Sequence, residues 1–354
     1  MITTTTDNYE AYILTISAVQ NINLFNKTKE IAPLIQAEND LMKARLEDPD
    51  YFDAIFYSGV TMDLVGKPAD SPKFFEKILL ESKDPKQKLE ATYNLGVAFY
   101  HQYSHRYLET AIKHFNKVLE KADGEDLKNL TLANLCQVYA MYMIPNSQMK
   151  KERGTTQGLR VIISHIQQYK GLYDNCFSKL DPFIKQDFFK LEDIPRKTAA
   201  IIENSKGMAK MYQSDYDQDK TNKKKLVSEA LNHLKNSEKL MPYDWANRCD
   251  LASAYMRLGK IEMDAGDTGK DYFDKAEECL NLVLEKLRPG YGFAYYEMGR
   301  LYRIKTRPDD DEGFKDALAF YKKSMAVKED YRDVGSALLE EEMNLAIEKN
   351  NSYP

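Results

Sequence analysis

The sequence predicts an all-α chain built from stacked helical hairpins, and three observations carry that prediction. First, a short pattern recurs: Leu95-Gly96-x2-Phe99 is followed by Ala111-x3-Phe115-x2-Val118, and Met298-Gly299-x2-Tyr302 by Ala317-x3-Tyr321-x2-Ser324. Second, apolar residues return at helical rather than strand spacing from Tyr9 almost to the end. Third, 24 tyrosines accompany only 16 glycines in 354 residues, a composition suited to helix packing and poor in turns.

Each pattern places a large residue, a small one and an aromatic along one helix face. The small residue lets the next antiparallel helix cross close to the backbone. Further copies are Leu251-Ala252-x2-Tyr255 with Ala276-x3-Leu280, Ala230-x3-Leu234 with Pro242, and Gly59-x2-Met62 with Ser71-x3-Phe75. A single hairpin cannot bury its apolar stripe alone, so the units must stack. The pattern resembles the tetratricopeptide repeat, W-x2-L-G-x2-Y, then A-x3-F, then P. It covers roughly residues 50–143 and 196–330 in about five or six degenerate units. The resemblance implies a tetratricopeptide-like helical-hairpin solenoid, a right-handed superhelix, interrupted by an irregular middle.

Taken in order, residues 1–49 form an N-terminal helical segment. It begins near Tyr9, capped by Asp7 or Asn8, breaks around Asn21-Ile22-Asn23 and runs on to Leu46. Asp48-Pro49-Asp50 ends it and opens the next helix. Residues 50–144 hold N-terminal repeats, with helices over about 52–65, 72–82, 86–103, 107–121 and 126–143. Leu135-Cys136-x2-Tyr139 looks like a first helix with no clear second. Residues 145–195 are irregular, with a helix near Gly158–Tyr169 and an aromatic cluster at Phe177, Phe183, Phe188 and Phe189. That cluster either buries itself in a bend of the stack or forms a symmetric homodimer contact through 170–190. C-terminal repeats occupy 196–330, and an amphipathic capping helix with a tail occupies 331–354.

Composition excludes several function classes. No apolar run approaches the roughly 18–20 residues that span a bilayer. The opening Met1-Ile2-Thr3-Thr4 has no basic or apolar leader region, which points to the cytoplasm. The net charge of −5 is well mixed, and no basic-aromatic interleaving supports a nucleic-acid partner. Four isolated cysteines, Cys136, Cys176, Cys249 and Cys279, form no CxxC and read as core residues. His101 and His105 are four apart with His114 on the next helix, but without an HExxH glutamate they read as tyrosine-bonded or solvated rather than metal-ligating. Gly290-Tyr291-Gly292 follows a helix, not a strand, so it is a turn between repeats and not a dinucleotide fingerprint. No nucleophile elbow or phosphate loop is present. No cofactor, metal or catalytic residue is expected, and the chain reads as a non-enzyme.

What remains is a binding surface. In tetratricopeptide proteins the first helix of each hairpin lines a concave groove. Carried onto the matched helices, this implies groove positions at Asp53, Phe56, Tyr93, Asn94, Asn134, Gln137, Arg257, Tyr296, Arg300 and Arg303. Tyr93 and Tyr296 serve equally well as packing against the neighbouring repeat. Arg300 and Arg303, one turn apart beside Tyr296, suit a carboxylate or backbone carbonyls. Of the family's clamp for chaperone C-termini only Asn94 matches. Phe56, Val60, Leu130 and Asn134 stand where Lys, Asn, Lys and Arg are required, so that activity is not implied.

The expected function is therefore a non-catalytic adaptor or scaffold binding another protein or an extended peptide. A second resemblance, from Ala37 to Leu64, is to bacterial peptide-pheromone sensors of the response-regulator aspartate phosphatase type, which would make the ligand a short peptide.

Overall fold

A computed structural model describes residues 6–28, 30–102, 105–144, 156–186, 193–217, 219–306 and 311–327. Among the described residues there is no strand, and no helix is long and apolar enough to cross a membrane. The chain divides into two compact units, Met1–Thr131 and Leu132–Pro354. The expected capping helix at 331–354 lies outside the described residues, as do Phe188 and Phe189.

The first unit contains α1 (Tyr9–Thr28), α2 (Ile31–Glu47), α3 (Phe52–Leu64), α4 (Pro72–Glu81), α5 (Pro85–Tyr100) and α6 (His105–Lys121). Asn8 caps α1, its side-chain oxygen accepting from Ala11 N at 3.0 Å. The expected break at Asn21-Ile22-Asn23 does not occur. Ile22 is buried with Ala18, Phe25, Leu34 and Leu41, and that apolar stripe carries α1 through the two asparagines to Thr28. Proline opens both α4 and α5, where the missing N–H costs nothing. Asp84 caps α5 by accepting from Lys86 N at 2.8 Å. Gly66, at φ 86°, reverses the chain after α3, and the next amide, Lys67 N, reaches back to Met62 O at 2.8 Å.

Helices pack on their sequence neighbours: α1 on α2, α3 on α4 and α5 on α6, with α2–α3 and α4–α5 joining the pairs. The crossings are where the sequence pattern puts them. A Cβ on Gly59 would lie 2.7 Å from Phe75, and one on Gly96 2.6 Å from Phe115. Both rings are fully buried. Ser71 stands at the small position preceding Phe75 and donates from its hydroxyl to Gly59 O at 2.8 Å, fixing the crossing.

The second unit contains the end of α7 (Glu125–Tyr142), α8 (Thr156–Ser178), the short α9 (Asp181–Ile184), α10 (Asp193–Ser214), α11 (Lys220–Leu240), α12 (Trp245–Asp264), α13 (Lys270–Leu282) with a π-turn at Val283–Leu287, α14 (Gly292–Lys305) and α15 (Asp311–Ala326). Asp219 and Asp244 cap α11 and α12 through two backbone amides each. The helix expected from Leu226 begins at Lys220 because of that cap, so Lys223, Lys224 and Lys225 sit on its first turns.

Three crossings repeat the rule. Added Cβ atoms on Gly207, Gly259 and Gly299 would lie 2.6 Å from Leu234, 2.6 Å from Phe273 and 2.4 Å from Tyr321. In the α12–α13 hairpin the sequence pattern singles out Ala252, but the glycine under the ring is Gly259, seven residues on. Gly269, at φ 63°, stands at the small position before Phe273, and a Cβ there would lie 2.3 Å from Gly259 O. Its insertion is correspondingly shorter than the pattern implies.

The helix α7 does have a second partner. Helix α8 runs 23 residues to Ser178, well past Tyr169. Tyr169 stacks on Tyr142 at 4.5 Å, and His165 Nε2 meets Tyr142 O at 2.6 Å. Cys136 stands at the small-residue position of its pattern, and its thiol bonds the Cys176 thiol, pushing the Cys136 ionisation well up. Cys176 in turn donates to Leu132 O at 3.4 Å. Thiol on thiol replaces glycine under a ring. Phe183 is buried, while Phe177 stacks on Tyr173 at 5.7 Å beneath the Lys206 ammonium. These two rings therefore pack inside the unit. The arrangement is that of tetratricopeptide-like hairpins.

Candidate functional site

In the second unit the first helices α10, α12 and α14 lie side by side, with α10 touching α12 and α12 touching α14. Their shared face carries a connected polar layer. Gln137 Nε2, from α7, donates to Asn204 Oδ1 at 2.7 Å. Asn204 Nδ2 then donates to Asn247 Oδ1 at 3.0 Å and to Asp250 Oδ2 at 2.8 Å. Asn247 anchors the row by donating to Leu234 O at 3.1 Å. Asn204 and Asn247 are buried, so these amides need each other, and the chain of donors fixes the register of three helices.

About two turns beyond Asp250, Arg257 forks onto Asp215 with contacts of 2.9 and 2.7 Å and donates to Ser253 Oγ at 2.7 Å. Its guanidinium lies 5.9 Å from the Tyr212 ring centre. On α14 Arg300 straddles both oxygens of the buried Glu297 at 2.8 and 3.0 Å, beside Tyr296. Both arginines are thus engaged by carboxylates of the chain itself.

The electrostatics follow from this packing. Protein surrounds Asp250, Arg257, Asp215 and Tyr212 on nearly every side, yet each keeps part of its surface in water. A recessed wall has that property, and a flat surface does not. Desolvation raises the Asp250 carboxyl to about 7; Asp244 and Glu297 add to the rise, against the Asn204 hydrogen bond and Arg257. For Asp215 burial also pushes upward, but Arg257 outweighs it and holds the carboxyl below its usual range. On the neighbouring stripe of α10 Glu203 accepts from Lys206 at 2.7 Å and meets His233 Nδ1 at 2.9 Å. Those partners overcome its burial and bring it down to about 2.

The other expected groove residues are placed as follows. In the first unit Asp53 is buried, and Phe56 packs on Phe52, Tyr57 and Phe75 with centroids 5.5–5.7 Å apart. Tyr93 is buried 6.0 Å from Phe115, and Asn94 donates back to Glu90 O of its own helix at 2.9 Å. Asn134 is buried in the second unit. Tyr296 packs between Phe293 and Tyr321, and Arg303 is half-buried on α14. Gln137, Arg257 and Arg300 join the polar layer, whereas Asp53, Phe56 and Tyr93 serve packing. Sequence reasoning missed Asn204, Tyr212, Asp215, Asn247, Asp250 and Glu297. Only the amides and carboxylates recurring on first helices hinted at them.

His101 Nδ1 lies 2.8 Å from both oxygens of Asp63, a carboxylate partner that the sequence did not indicate. His114 stacks on Phe99, and burial lowers it to about 4. Among the described residues no three His, Cys, Asp or Glu side chains come together as a metal site would require.

Neither a family model nor a curated protein matches this sequence. Among solved structures the chain is similar to a tetratricopeptide repeat protein from Parabacteroides merdae, at 13% identity and TM-score 0.42, covering 96% of this chain and 99% of that one. It is also similar to human IFIT1, solved as a dimer with m7Gppp-AAAA, at 13% identity and TM-score 0.37, covering 99% and 83%. A third is the TPR2AB domain of yeast Sti1 in its pHSP90 complex, at 16% identity and TM-score 0.30, covering 85% and 98%.

Proposed function

We propose that this chain is a non-catalytic adaptor that holds an extended segment of another protein along the first-helix face of its second unit. The observation that supports this most is the half-hydrated polar layer running from Gln137 through Asn204 and Asp250 to Arg257 and Arg300. An extended backbone offers a donor and an acceptor at each residue, and a recessed row of amides and charges is able to meet them. The aromatic side chains Tyr212 and Tyr296 supply apolar contact beside that row. Gln137, Arg257, Tyr296, Arg300 and Arg303 are the sequence-predicted residues that this reading retains in the second unit.

Site-specific photo-crosslinking tests it. A benzophenone side chain at Tyr296, on the first-helix face, should capture a partner segment in cells of the source organism. The same group at Met325, which is exposed on the second helix α15, should not. Equal capture at both positions, or capture at Met325 alone, would move the binding surface elsewhere.

A further inference from the structure

One carboxylate of the polar layer stands apart from its ion pairs. Asp215, Asp250 and Glu297 contribute three carboxylates, while Arg257 and Arg300 contribute two guanidiniums. The pairs are specific. Arg257 holds Asp215, and Arg300 holds Glu297. Lys223 also bears on Asp215 from α11. Asp250 accepts from a neutral amide, Asn204, and among the described residues it makes no ion pair. It is partly open to water on a recessed wall, where a carboxylate attracts a cation more strongly than on a flat surface.

The first unit also carries carboxylates on its own first helices, Asp53 and Glu90, with Lys86 bearing on Glu90. Glu90 of α5 is half-buried, and among the described residues its carboxylate makes no ion pair. Asp53 of α3 bears on it electrostatically, and both bear on Tyr57, whose ionisation burial and the two carboxylates raise.

We infer that the segment this protein binds carries a lysine or arginine side chain, seated on the Asp250 carboxylate. The inference rests on the adaptor reading above and specifies its partner: a basic segment, not an acidic or C-terminal one. The arginines that a carboxylate would need are already taken by Asp215 and Glu297, so an incoming carboxylate would compete with two internal ion pairs. An incoming ammonium or guanidinium competes only with water and a proton at Asp250.

That proton gives the inference a signature. The groups facing Asp250 are Asn204 and Tyr212 from α10, Asp244, Cys249 and Arg257 from its own helix, and Glu297 from α14. Burial, with Asp244 and Glu297, raises its carboxyl to about 7 against the pull of Asn204 and Arg257, so a cation seated on it favours release of its proton. Between pH 6 and pH 8 the ionised fraction rises from about one tenth to about nine tenths, so affinity should rise about ninefold.

The experiment uses the full chain and an array of random 12-residue peptides at pH 8. Captured peptides should be enriched in lysine or arginine. Replacing the critical lysine of the best binder by norleucine should weaken binding about tenfold or more. Asp250→Asn should remove both that preference and the pH 6–8 dependence while leaving the helical circular dichroism unchanged. Enrichment in acidic or purely neutral peptides, or a norleucine peptide that binds equally well, overturns the inference while leaving the adaptor reading intact. The norleucine comparison decides the matter even if Asp250→Asn fails to fold. Capture of no peptide at all overturns the adaptor reading, and this inference with it.

Discussion

The first helices of the two units share a crossing rule but differ in what they show beside it. In α3 and α5 the glycine sits under a phenylalanine, and the adjoining side chains are mostly rings, Phe52, Phe56, Tyr57 and Tyr93. In α10, α12 and α14 the glycine sits under Leu234, Phe273 or Tyr321, yet the adjoining face carries amides, carboxylates and guanidiniums. The crossing therefore fixes the hairpin, and the exposed stripe beside it is free to vary. The fold is carried by the first feature and the proposed function by the second.

The largest test of that separation is to overfill a crossing. Gly96→Leu and Gly299→Leu place atoms where Phe115 and Tyr321 already lie within 2.6 and 2.4 Å of an added Cβ. Each should cost about 3 kcal/mol or more, read as a lowered denaturation midpoint. Silent variants would mean that the rings are able to swing aside and that the crossing is not the constraint.

Next comes the ionic stripe that closes the α10–α11 hairpin. Glu203→Gln removes charge-assisted bonds to Lys206 and His233 from a side chain 7% exposed, and should cost about 2 kcal/mol at pH 7. Glu203 has a folded-state value of about 2, below its unfolded one, so its contribution is present above about pH 4.5 and is lost as pH falls towards 2. The variant and the wild type should therefore converge in acid. A constant difference from pH 7 to pH 2 would show that packing, not ionisation, accounts for the loss.

Asp250 has the opposite sign. Its folded-state value is raised to about 7, so the folded protein binds the extra proton and stability falls as pH rises from about 4 to 7. Asp250→Asn should raise the melting temperature at pH 8 by about 2–4 °C and leave it unchanged near pH 4. Destabilisation at pH 8 would show that the carboxylate holds the helices together. The smallest effect is expected at the surface pair Lys170–Asp174 on α8, whose side chains are 43% and 55% exposed. Lys170→Ala should change stability by no more than about 0.5 kcal/mol.

Local spacing determined what could be read from sequence. Gly59, Gly96 and Gly299 announce their crossings because a small residue followed four later by a ring stands on the next helix. Gly207 and Gly259 are followed three residues on by the charged Lys210 and Glu262, where Met62, Phe99 and Tyr302 stand in the others, and so the pattern passes them over. Cys136 and Cys176 are separated by 40 positions, and no local pattern joins two thiols across such an interval. The polar layer was half legible. First-helix geometry placed Gln137, Arg257 and Arg300 on one face, but the carboxylates that engage the arginines depend on packing. Asp215 lies just beyond the end of α10, 42 residues before Arg257, and only the stacked helices bring them together.

The central claim is that partner binding belongs to the first-helix face of the second unit. Hydrogen–deuterium exchange of the full chain with a bound partner segment tests it most directly. Protection should concentrate in α10, α12 and α14, around Asn204, Asp250 and Glu297, with α11, α13 and α15 unchanged. Protection confined to those second helices, or to the first unit alone, would contradict the account.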